Sequence, residues 1–331
     1  MLRKRLVTWA FMLVCMAASS GGAHAEVGTV RIAKQFGLAY VQFAIMEERG
    51  LVEKHAKAAG LEGIKVEWAT FRGPDVMNDA LLSGNVDFIS LGIPGALTLW
   101  DRTKGLADVK VVAGYNALPF WLMVRGDDIK SLADFNEKHR IAVPAVKISF
   151  QSVLMQMEAE KLFGVGNHGR LDPFTVSMAH PDATIAMISG SKDVTAHFTT
   201  LPFLARQAKT PGIRRLLTGN DIVGSPFSFN LIMGTSKFRT ENPKLFKAFR
   251  DALDEATAAV NADKAAAAAA YIQVNKDKTP VGELAALLDE PGNQFTTKVI
   301  GIDKIVDFLI RTGNFKNKPA SYKDLLFPEA Q

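Results

Sequence analysis

Two stretches of the chain repeat the same order of polar and apolar positions. Residues 81–94 read LLSGNVDFISLGIP and residues 188–202 read ISGSKDVTAHFTTLP. Each has Ser-Gly, two further residues, an Asp, and then an apolar or β-branched run that ends in Pro. A helical pattern precedes each stretch, and a strand-like run ending at Pro74 or Pro181 precedes each helical pattern. The chain is therefore predicted to contain the same strand–helix–strand unit twice.

Each repeated unit predicts parallel strands. The Gly after each helical pattern, Gly84 or Gly190, suits the left-handed residue that ends a helix. A strand, a helix and a second strand in succession form a right-handed βαβ unit. Ligands in such folds bind beyond the carboxyl ends of the strands. The loops in that position are the candidate site: residues 71–74, 92–94, 178–181 and 197–200.

The remaining pattern indicates two lobes that are connected twice. Strand signals continue to residue 124, start again after Gly126, and return to the first unit through a strand-like run at 229–233. We predict an α/β fold with lobe 1 formed by residues 26–124 and 228–331, and lobe 2 inserted as residues 125–227. The two crossings, near residues 124–126 and 227–229, are expected to act as a hinge.

The first 25 residues are predicted to be a secretory signal peptide. Arg3, Lys4 and Arg5 form a basic start, an apolar run follows, and Ala23-His24-Ala25 is a small-residue cleavage site. The apolar run has about 13 residues, whereas a membrane-spanning helix needs about 20. Cleavage after Ala25 and export to the periplasm are therefore expected.

Composition and charge exclude several kinds of site. The chain has 331 residues, 39 basic and 34 acidic. The signal peptide holds three of the basic residues and no acidic one, which leaves 36 against 34. No basic cluster interleaved with aromatic residues is present, so no nucleic-acid partner is expected. The only cysteine, Cys15, lies in the signal peptide, which excludes disulfides, thiolate metal sites and cysteine nucleophiles from the mature chain.

Several segments, in this order and spacing, resemble the periplasmic substrate-binding proteins of ABC importers, specifically the nitrate/sulfonate/taurine family. The segments are RIAKQFGLAYVQFAIMEERGLVEKH, ALLSGNVDFISLGIPGAL, VKVVAGYNALPFWLMV, SLADFNEKHRIAVP and NPKLFKAFRDALDEA. The resemblance covers essentially the whole mature chain. It implies a two-lobed periplasmic-binding-protein fold of type II, whose two α/β domains are joined by two crossing strands and close on one small anion.

The resemblance also implies how the protein works. A monomer without cofactor or metal would deliver its ligand to a membrane permease that an ATPase drives. Helices predicted to begin near Leu38, Pro94 and Phe150 suit an anion, because helix N-termini offer unpaired N–H groups and a positive dipole end. Each such end contributes about 0.3–1 kcal/mol when exposed and up to about 2 kcal/mol when partly buried.

The resemblance assigns ligand contacts to both lobes. In lobe 1 they are Gln35, Phe36, Gly37, Tyr40, Phe71, Arg72, Gly73, Gly92, Ile93, Tyr115 and Asn116. In lobe 2 they are Ser149, Phe150, Gln151, His180, His197 and Phe198. Arg72 is expected to contact the acid group of the ligand, and Gly37, Gly73 and Gly92 are expected to let the backbone approach the ligand closely. The aromatic members, Tyr40, Phe71, Tyr115, Phe150 and Phe198, favour a flat or bulky organic anion over nitrate.

The sequence also bears on functions other than the importer role. The chain has no GxSxG, P-loop or HExxH motif, and its histidines lack metal-ligand spacing, so it is predicted not to be an enzyme. A pyrimidine or thiamine precursor remains an alternative ligand. Presentation of the ligand to a separate receptor remains an alternative role.

Overall fold

The computed structural model describes residues 25–313 and 315–331. The signal-peptide prediction and Cys15 lie outside the described residues, apart from Ala25. The strands are β1 (Thr29–Lys34), β2 (Lys65–Thr70), β3 (Phe88–Leu91), β4 (Val109–Ala117), β5 (Trp121–Arg125), β6 (Ile141–Val143), β7 (Thr175–Ser177), β8 (Ala196–Thr199), β9 (Ile213–Thr218), β10 (Asn230–Thr235) and β11 (Gln294–Phe295).

Helices and strands are interspersed in the first two thirds of the chain, and after β10 helices predominate, with only the two-residue β11 between α12 and α13. They are α1 (Val41–Arg49), α2 (Leu51–Ala58), α3 (Pro74–Leu82), α4 (Ile93–Thr103), α5 (Phe150–Phe163), α6 (His180–Ser189), α7 (Phe203–Ala208), α8 (Gly219–Val223), α9 (Ser236–Glu241), α10 (Pro243–Ala262), α11 (Lys264–Asn275), α12 (Val281–Leu288) and α13 (Asp303–Thr312). Short 3-10 turns lie at Leu38–Tyr40, Leu132–Asp134, His168–Phe174, Tyr322–Leu325 and Pro328–Ala330.

Two separate sheets form the cores of two lobes. The sheet of lobe 1 has the strand order β11-β4-β10-β3-β1-β2, and the sheet of lobe 2 has the order β7-β6-β8-β5-β9. In lobe 1, β1 lies parallel between β2 and β3, with Val30 opposite Val66 and Ile32 opposite Phe88. In lobe 2, β6 lies parallel between β7 and β8. The predicted repeat is therefore present as β2–α3–β3 and β7–α6–β8, each built around an earlier strand.

The chain crosses between the sheets twice. The first crossing, residues 118–120, lies between β4 and β5, and the second, residues 224–229, lies between α8 and β10. The second includes the expected residues 227–229. The first comes earlier than expected, because Trp121–Arg125 pairs with β8 and β9 of lobe 2. A strand pattern in the sequence does not show which sheet the strand joins. The prediction that residues 121–124 belong to lobe 1 is therefore wrong, because they lie in the sheet of lobe 2.

Aromatic packing fastens the C-terminal helices to lobe 1. The rings of Phe88 on β3 and Phe249 on α10 stack with centroids 3.9 Å apart and planes within 4°. Phe43 on α1 packs against Tyr115 on β4 and against Phe249. The alanine run in α11 buries Ala267 and Ala268 completely or almost so, because small side chains let that helix pack closely. These helices form a scaffold behind the first sheet.

We predict that Phe249→Ala destabilises the protein by about 3–5 kcal/mol, because it removes a fully buried ring and leaves a cavity in the core. Urea unfolding measures the loss. The control is Leu106→Ala, since Leu106 is 83% exposed, and its effect should stay within about 0.5 kcal/mol. Equal effects of the two substitutions would contradict the assignment of this stack as the core of lobe 1.

Candidate functional site

A narrow cleft lies between the lobes, on the side where the parallel strands end. Its lining comes from both lobes and consists of Gln35, Phe36, Tyr40, Pro74, Gly92, Pro144, Ser149, Phe150, Gln151, His180, Thr200, Phe229 and Asn230. The cavity volume is about 20 Å³, which is room for roughly one water molecule. The lobes are therefore closed on each other, and a larger ligand enters only when they separate.

Helix N-termini surround this cleft. Within the described chain, α3 of lobe 1 and α6 of lobe 2 begin at the lining residues Pro74 and His180. The helices α4 of lobe 1 and α5 of lobe 2 begin directly after the lining residues Gly92 and Ser149. Ser149 caps α5, because its hydroxyl accepts a hydrogen bond from the Ser152 N–H at 3.3 Å. The first N–H groups of a helix lack intrahelical partners and carry the positive end of its dipole. The backbone therefore makes the cleft favourable for an anion.

Side-chain charge is absent from the lining. Among the residues of the described chain that line the cleft, none is Lys, Arg, Asp or Glu. The expected cation, Arg72, instead forms an ion pair with Asp75 at 2.7 Å, and its side chain is 54% exposed. The structure thus offers an anion helix ends and neutral hydrogen-bonding groups, but no positively charged side chain.

Asn230 has a buried amide with unused hydrogen-bonding capacity. Within the residues that the structure describes, neither its Nδ2 nor its Oδ1 has a hydrogen-bond partner, although the residue is 1% exposed. It lies beside the Tyr40 hydroxyl without meeting the geometry of a hydrogen bond, and burial raises the pKa of Tyr40 above its ordinary value. A buried polar group without a partner is costly, so this amide is well placed to bind a ligand.

A pair of buried histidines lies at the lobe 2 wall. His180 Nδ1 and His197 Nε2 are 2.8 Å apart, and the His180 ring stacks on Phe203. Burial lowers the pKa of His180 from its ordinary value of 6.5 to about 4. Burial, together with the neighbouring His180, lowers the pKa of His197 well below its ordinary value. Both rings are therefore neutral near pH 7.

The structure brings eight of the expected contact residues to the cleft and places the others elsewhere. Those at the cleft are Gln35, Phe36, Tyr40, Gly92, Ser149, Phe150, Gln151 and His180. Phe71 is half-buried against the core, and Ile93 and Phe198 are fully buried in it. The Tyr115 hydroxyl accepts a hydrogen bond from the Phe43 N–H, and the Asn116 amide donates to the Ala39 carbonyl. His197 does not line the cleft, and it contacts His180 from the interior of lobe 2.

Three glycines face the opposite lobe. A Cβ on Gly37 would lie 2.9 Å from the Leu201 oxygen, and one on Gly73 would lie 2.8 Å from the Pro144 oxygen. A Cβ on Gly92 would lie 3.0 Å from the Phe150 Cβ. These positions were expected to admit a ligand. In the structure they instead let the two lobes come together.

Five lining residues were missed. Pro74 and Thr200 lie in loops that the repeat indicated, but they were not singled out. Pro144, Phe229 and Asn230 gave no signal. Phe229 ends the second crossing and Asn230 begins β10, where the sequence pattern predicts only a connecting strand. The placement of that crossing beside the cleft arises from the pairing of β10 with β3 and β4.

A wider groove of about 820 Å³ lies beside the cleft and shares Phe36 with it. Two of its cations are already paired: Lys34 with Glu47 at 2.7 Å, and Arg206 with Asp277 at 2.9 Å. Lys276 and Lys278 also line it, but so do the carboxylates of Glu47, Asp277 and Glu283. A ligand anion there would compete with these carboxylates, whereas the lining of the cleft within the described chain has none. The cleft is therefore the better candidate site.

Membrane-spanning helices and clustered metal ligands are both absent from the described residues. No helix in residues 25–313 and 315–331 is long and apolar enough to cross a membrane. In the same ranges, no group of three or more His, Cys, Asp and Glu side chains is placed to hold a metal ion.

Comparison with known proteins gives the fold and a family match. The sequence model of the NMT1/THI5-like family matches residues 60–267, more than half of the chain. No curated protein sequence matches the chain. The alkanesulfonate-binding protein SsuA from Xanthomonas axonopodis pv. citri, bound to MOPS, superposes with a TM-score of 0.68 at 17% identity. This alignment covers 91% of this chain and 98% of that chain.

Two other solved structures are similar. The periplasmic aliphatic sulphonate binding protein SsuA from Escherichia coli has a TM-score of 0.64 at 19% identity, over 91% of this chain and 99% of that chain. The periplasmic nitrate-binding protein NrtA from Synechocystis PCC 6803 has a TM-score of 0.59 at 15% identity, over 78% of this chain and 69% of that chain. These matches confirm the predicted two-lobed periplasmic-binding-protein fold.

We predict that Gly73→Ala shifts the protein toward an open form. Its backbone is extended (φ −168°, ψ 175°), so alanine is allowed there. The new Cβ would lie 2.8 Å from the Pro144 oxygen of lobe 2 and 3.0 Å from the Asp75 Oδ1, and only the second of these atoms is on a side chain that can turn away. Small-angle X-ray scattering should give a larger radius of gyration for Gly73→Ala than for Gly28→Ala, both without and with a bound ligand. Gly28 is the control because a Cβ there meets nothing within 4 Å. Identical scattering from both variants would exclude this contact as a limit on closure.

We also predict that stability falls as the pH drops below about 6.5, partly because of the two histidines. Their pKa values are lowered in the folded state, so the unfolded chain takes up their protons first. For His180 the loss between pH 7 and pH 5 is about 2 kcal/mol. Urea unfolding at both pH values should show a smaller loss for His180→Gln than for the wild type. An equal loss in both proteins would mean that His180 is not held neutral.

Proposed function

The chain belongs to the NMT1/THI5-like family, and from this membership and the fold we propose that it is the solute-binding component of an ABC-type importer. It captures a small organic anion between its lobes and delivers it to a membrane permease that an ATPase drives. The observation that carries the anion assignment is the set of four helix N-termini, two from each lobe, around one uncharged cleft.

Ligand-gated closure is the proposed mechanism. The lobes separate about the two crossings, the ligand enters, and only the closed form lets helix ends of both lobes contact it. A ligand shifts such an equilibrium by its difference in affinity for the two forms. The protein acts as a monomer in the periplasm after cleavage of the signal peptide at Ala25, with a binding rather than a catalytic role.

The lining supports an organic anion. The acid group would meet the N-termini of α5 and α6, beside Gln151 and His180. The aromatic side chains of Phe36, Tyr40, Phe150 and Phe229 also line the cleft and would contact the carbon part of the ligand. A sulfonate or carboxylate with a short alkyl or aryl group fits this arrangement, and the solved structures with this fold include proteins named for binding sulfonates.

A second candidate ligand is a pyrimidine or thiamine precursor. It is favoured by Asn230, whose amide offers both a donor and an acceptor without partners in the described chain. A ring with adjacent donor and acceptor atoms would pair with both. The same importer role applies to either ligand class.

A thermal-shift screen tests the proposal. The protein is unfolded and refolded to remove carried ligand, then heated with nitrate, taurine, alkyl and aryl sulfonates, aromatic carboxylates and thiamine-type pyrimidines. A ligand at 100 times its Kd should stabilise the folded state by about 2.7 kcal/mol, which raises Tm by several degrees. A response to sulfonates or carboxylates supports the anion proposal, and a response to pyrimidines alone would replace it by the second candidate.

Asn230→Leu is expected to weaken binding of the ligand found in this screen by about tenfold or more, because the ligand loses an amide partner. Its folded stability should not fall, since no hydrogen bond within the described chain is lost. The matched control is Asn261→Leu, whose amide donates to the Phe295 carbonyl at 3.0 Å. That variant should lose stability and keep its affinity. Unchanged affinity in Asn230→Leu would remove Asn230 from the site.

A further inference from the structure

A buried chain of hydrogen bonds runs from inside lobe 2 to the cleft. Gln207 Nε2 on α7 lies 2.7 Å from His197 Nδ1 on β8. His197 Nε2 lies 2.8 Å from His180 Nδ1 at the start of α6. His180 Nε2 then reaches the cleft, 3.3 Å from Gln151 Nε2. Gln207 and His197 are fully buried, and His180 is 6% exposed. We call Gln207, His197 and His180 the histidine relay.

The direction of the relay is fixed at Gln207. Its Nε2 also donates to the Thr184 hydroxyl at 3.1 Å, and that hydroxyl donates its single hydrogen to the His180 carbonyl at 2.7 Å. The Thr184 oxygen can therefore only accept from Gln207. Turning the amide by 180° would set its oxygen against the Thr184 oxygen. It would also move both N–H groups to where Oε1 now lies, and Oε1 has no partner within the described chain.

The protonated nitrogen of each ring follows from this direction. Because Gln207 donates to it, His197 Nδ1 is bare, and a neutral imidazole then carries its proton on Nε2. His197 Nε2–H donates to His180 Nδ1, which is therefore also bare. The proton of His180 lies on Nε2, the nitrogen at the cleft. Gln151 satisfies this N–H only by turning its carbonyl oxygen toward it.

We propose that His197 and Gln207 are positioning residues that hold neutral His180 as a hydrogen-bond donor at the cleft, where the ligand presents an acceptor such as a sulfonate or carboxylate oxygen. The inference rests on the proposed function of the cleft as a ligand site. It adds that His180 recognises an acceptor by the direction of one N–H rather than by charge. It also gives His197, which does not line the cleft, a role that acts through His180.

The surroundings of the relay keep it neutral and in place. The side chains that face its two histidines are Gln151 from α5, Thr184 from α6, and Phe203 and Gln207 from α7. None of these four is charged or titratable. A buried imidazole without a carboxylate partner stays unprotonated, and a neutral imidazole then has one donor and one acceptor nitrogen. The fixed N–H donor of Gln207 determines which nitrogen of each imidazole is the donor and which is the acceptor.

Correlation spectra of the histidine ring nitrogens with ring protons test the proposal directly, because they distinguish a protonated from a bare nitrogen. The wild-type protein, labelled with ¹⁵N-histidine, should show His180 protonated on Nε2 and bare on Nδ1. The His180 signals are assigned by their loss in His180→Gln. A proton on His180 Nδ1 would overturn the proposal. This readout needs no ligand.

Gln207→Met tests whether the relay sets this tautomer. Methionine keeps the approximate size of the side chain but cannot donate, so both tautomers of His180 should be populated. Gln156→Met is the matched control, since it removes a glutamine hydrogen bond to Asp172 in the same lobe and should leave the tautomer unchanged. An unchanged tautomer in Gln207→Met would overturn the positioning role. If that variant does not fold, the wild-type spectrum decides.

Benzenesulfonate, an anion that only accepts hydrogen bonds, separates this proposal from the proposed function. It should shift the His180 Nε2–H signal and bind Gln207→Met several-fold more weakly than Gln156→Met. If His180 has the predicted tautomer but its signal does not respond to benzenesulfonate, the relay is supported and the anion proposal is not. Binding of benzenesulfonate with equal affinity to both variants would overturn the relay while supporting the anion proposal.

Discussion

Close backbone contact across the cleft is the constraint on which the closed form depends. The Leu38 N–H donates to the Leu201 carbonyl at 3.0 Å, so the first loop of lobe 1 bonds directly to lobe 2. Gly37 makes this bond possible, because its φ of +121° is rarely adopted by L-residues and a Cβ there would meet the same carbonyl. Gly73 and Gly92 make comparable contacts with lobe 2. Without these three glycines the helix ends of the two lobes could not share one small ligand.

Ion pairs across the lobes are too weak to lock this closed form. Arg206, Lys209 and Arg311 pair with Asp277, Glu283 and Glu160 of the facing lobe at 2.6–2.9 Å. The Lys209 and Arg311 side chains are 62% and 52% exposed. Pairs with cations as exposed as these two contribute about 0–1 kcal/mol each and weaken with salt. The Arg206–Asp277 pair is less exposed, at 35% and 12%, and is the strongest of the three. The contributions that hold the lobes closed are thus small enough for a ligand to shift the equilibrium between the open and closed forms. A protein that binds and then releases a ligand needs such an equilibrium.

The repeated pattern was sufficient to predict the two sheets and the loops beside the cleft, because helix caps and strand runs are local features. It could not place β5, since the sheet that Trp121–Arg125 joins is decided by pairing with β8 and β9. Arg72 failed as a ligand contact for a different, local reason: Asp75, three residues further along the chain, pairs with it. Asn230 lies in the predicted strand run 229–233, and that pattern does not show that its amide lines the cleft. Its position there depends on the pairing of β10 with β3 and β4.

The absence of a cation from the cleft lining of the described chain has a physical consequence for selectivity. A lysine or arginine buried there would need a partner or lose its charge when no ligand is bound. Helix ends and neutral donors avoid this problem, because backbone N–H groups and an uncharged imidazole such as His180 tolerate burial in the closed form. They stabilise a bound anion both through the direction of their hydrogen bonds and through the positive end of the helix dipoles. A site of this design discriminates ligands by where their acceptor atoms lie. Under the proposed function, the orientation of Gln151 and His180, rather than the net charge of the protein, would decide what it binds.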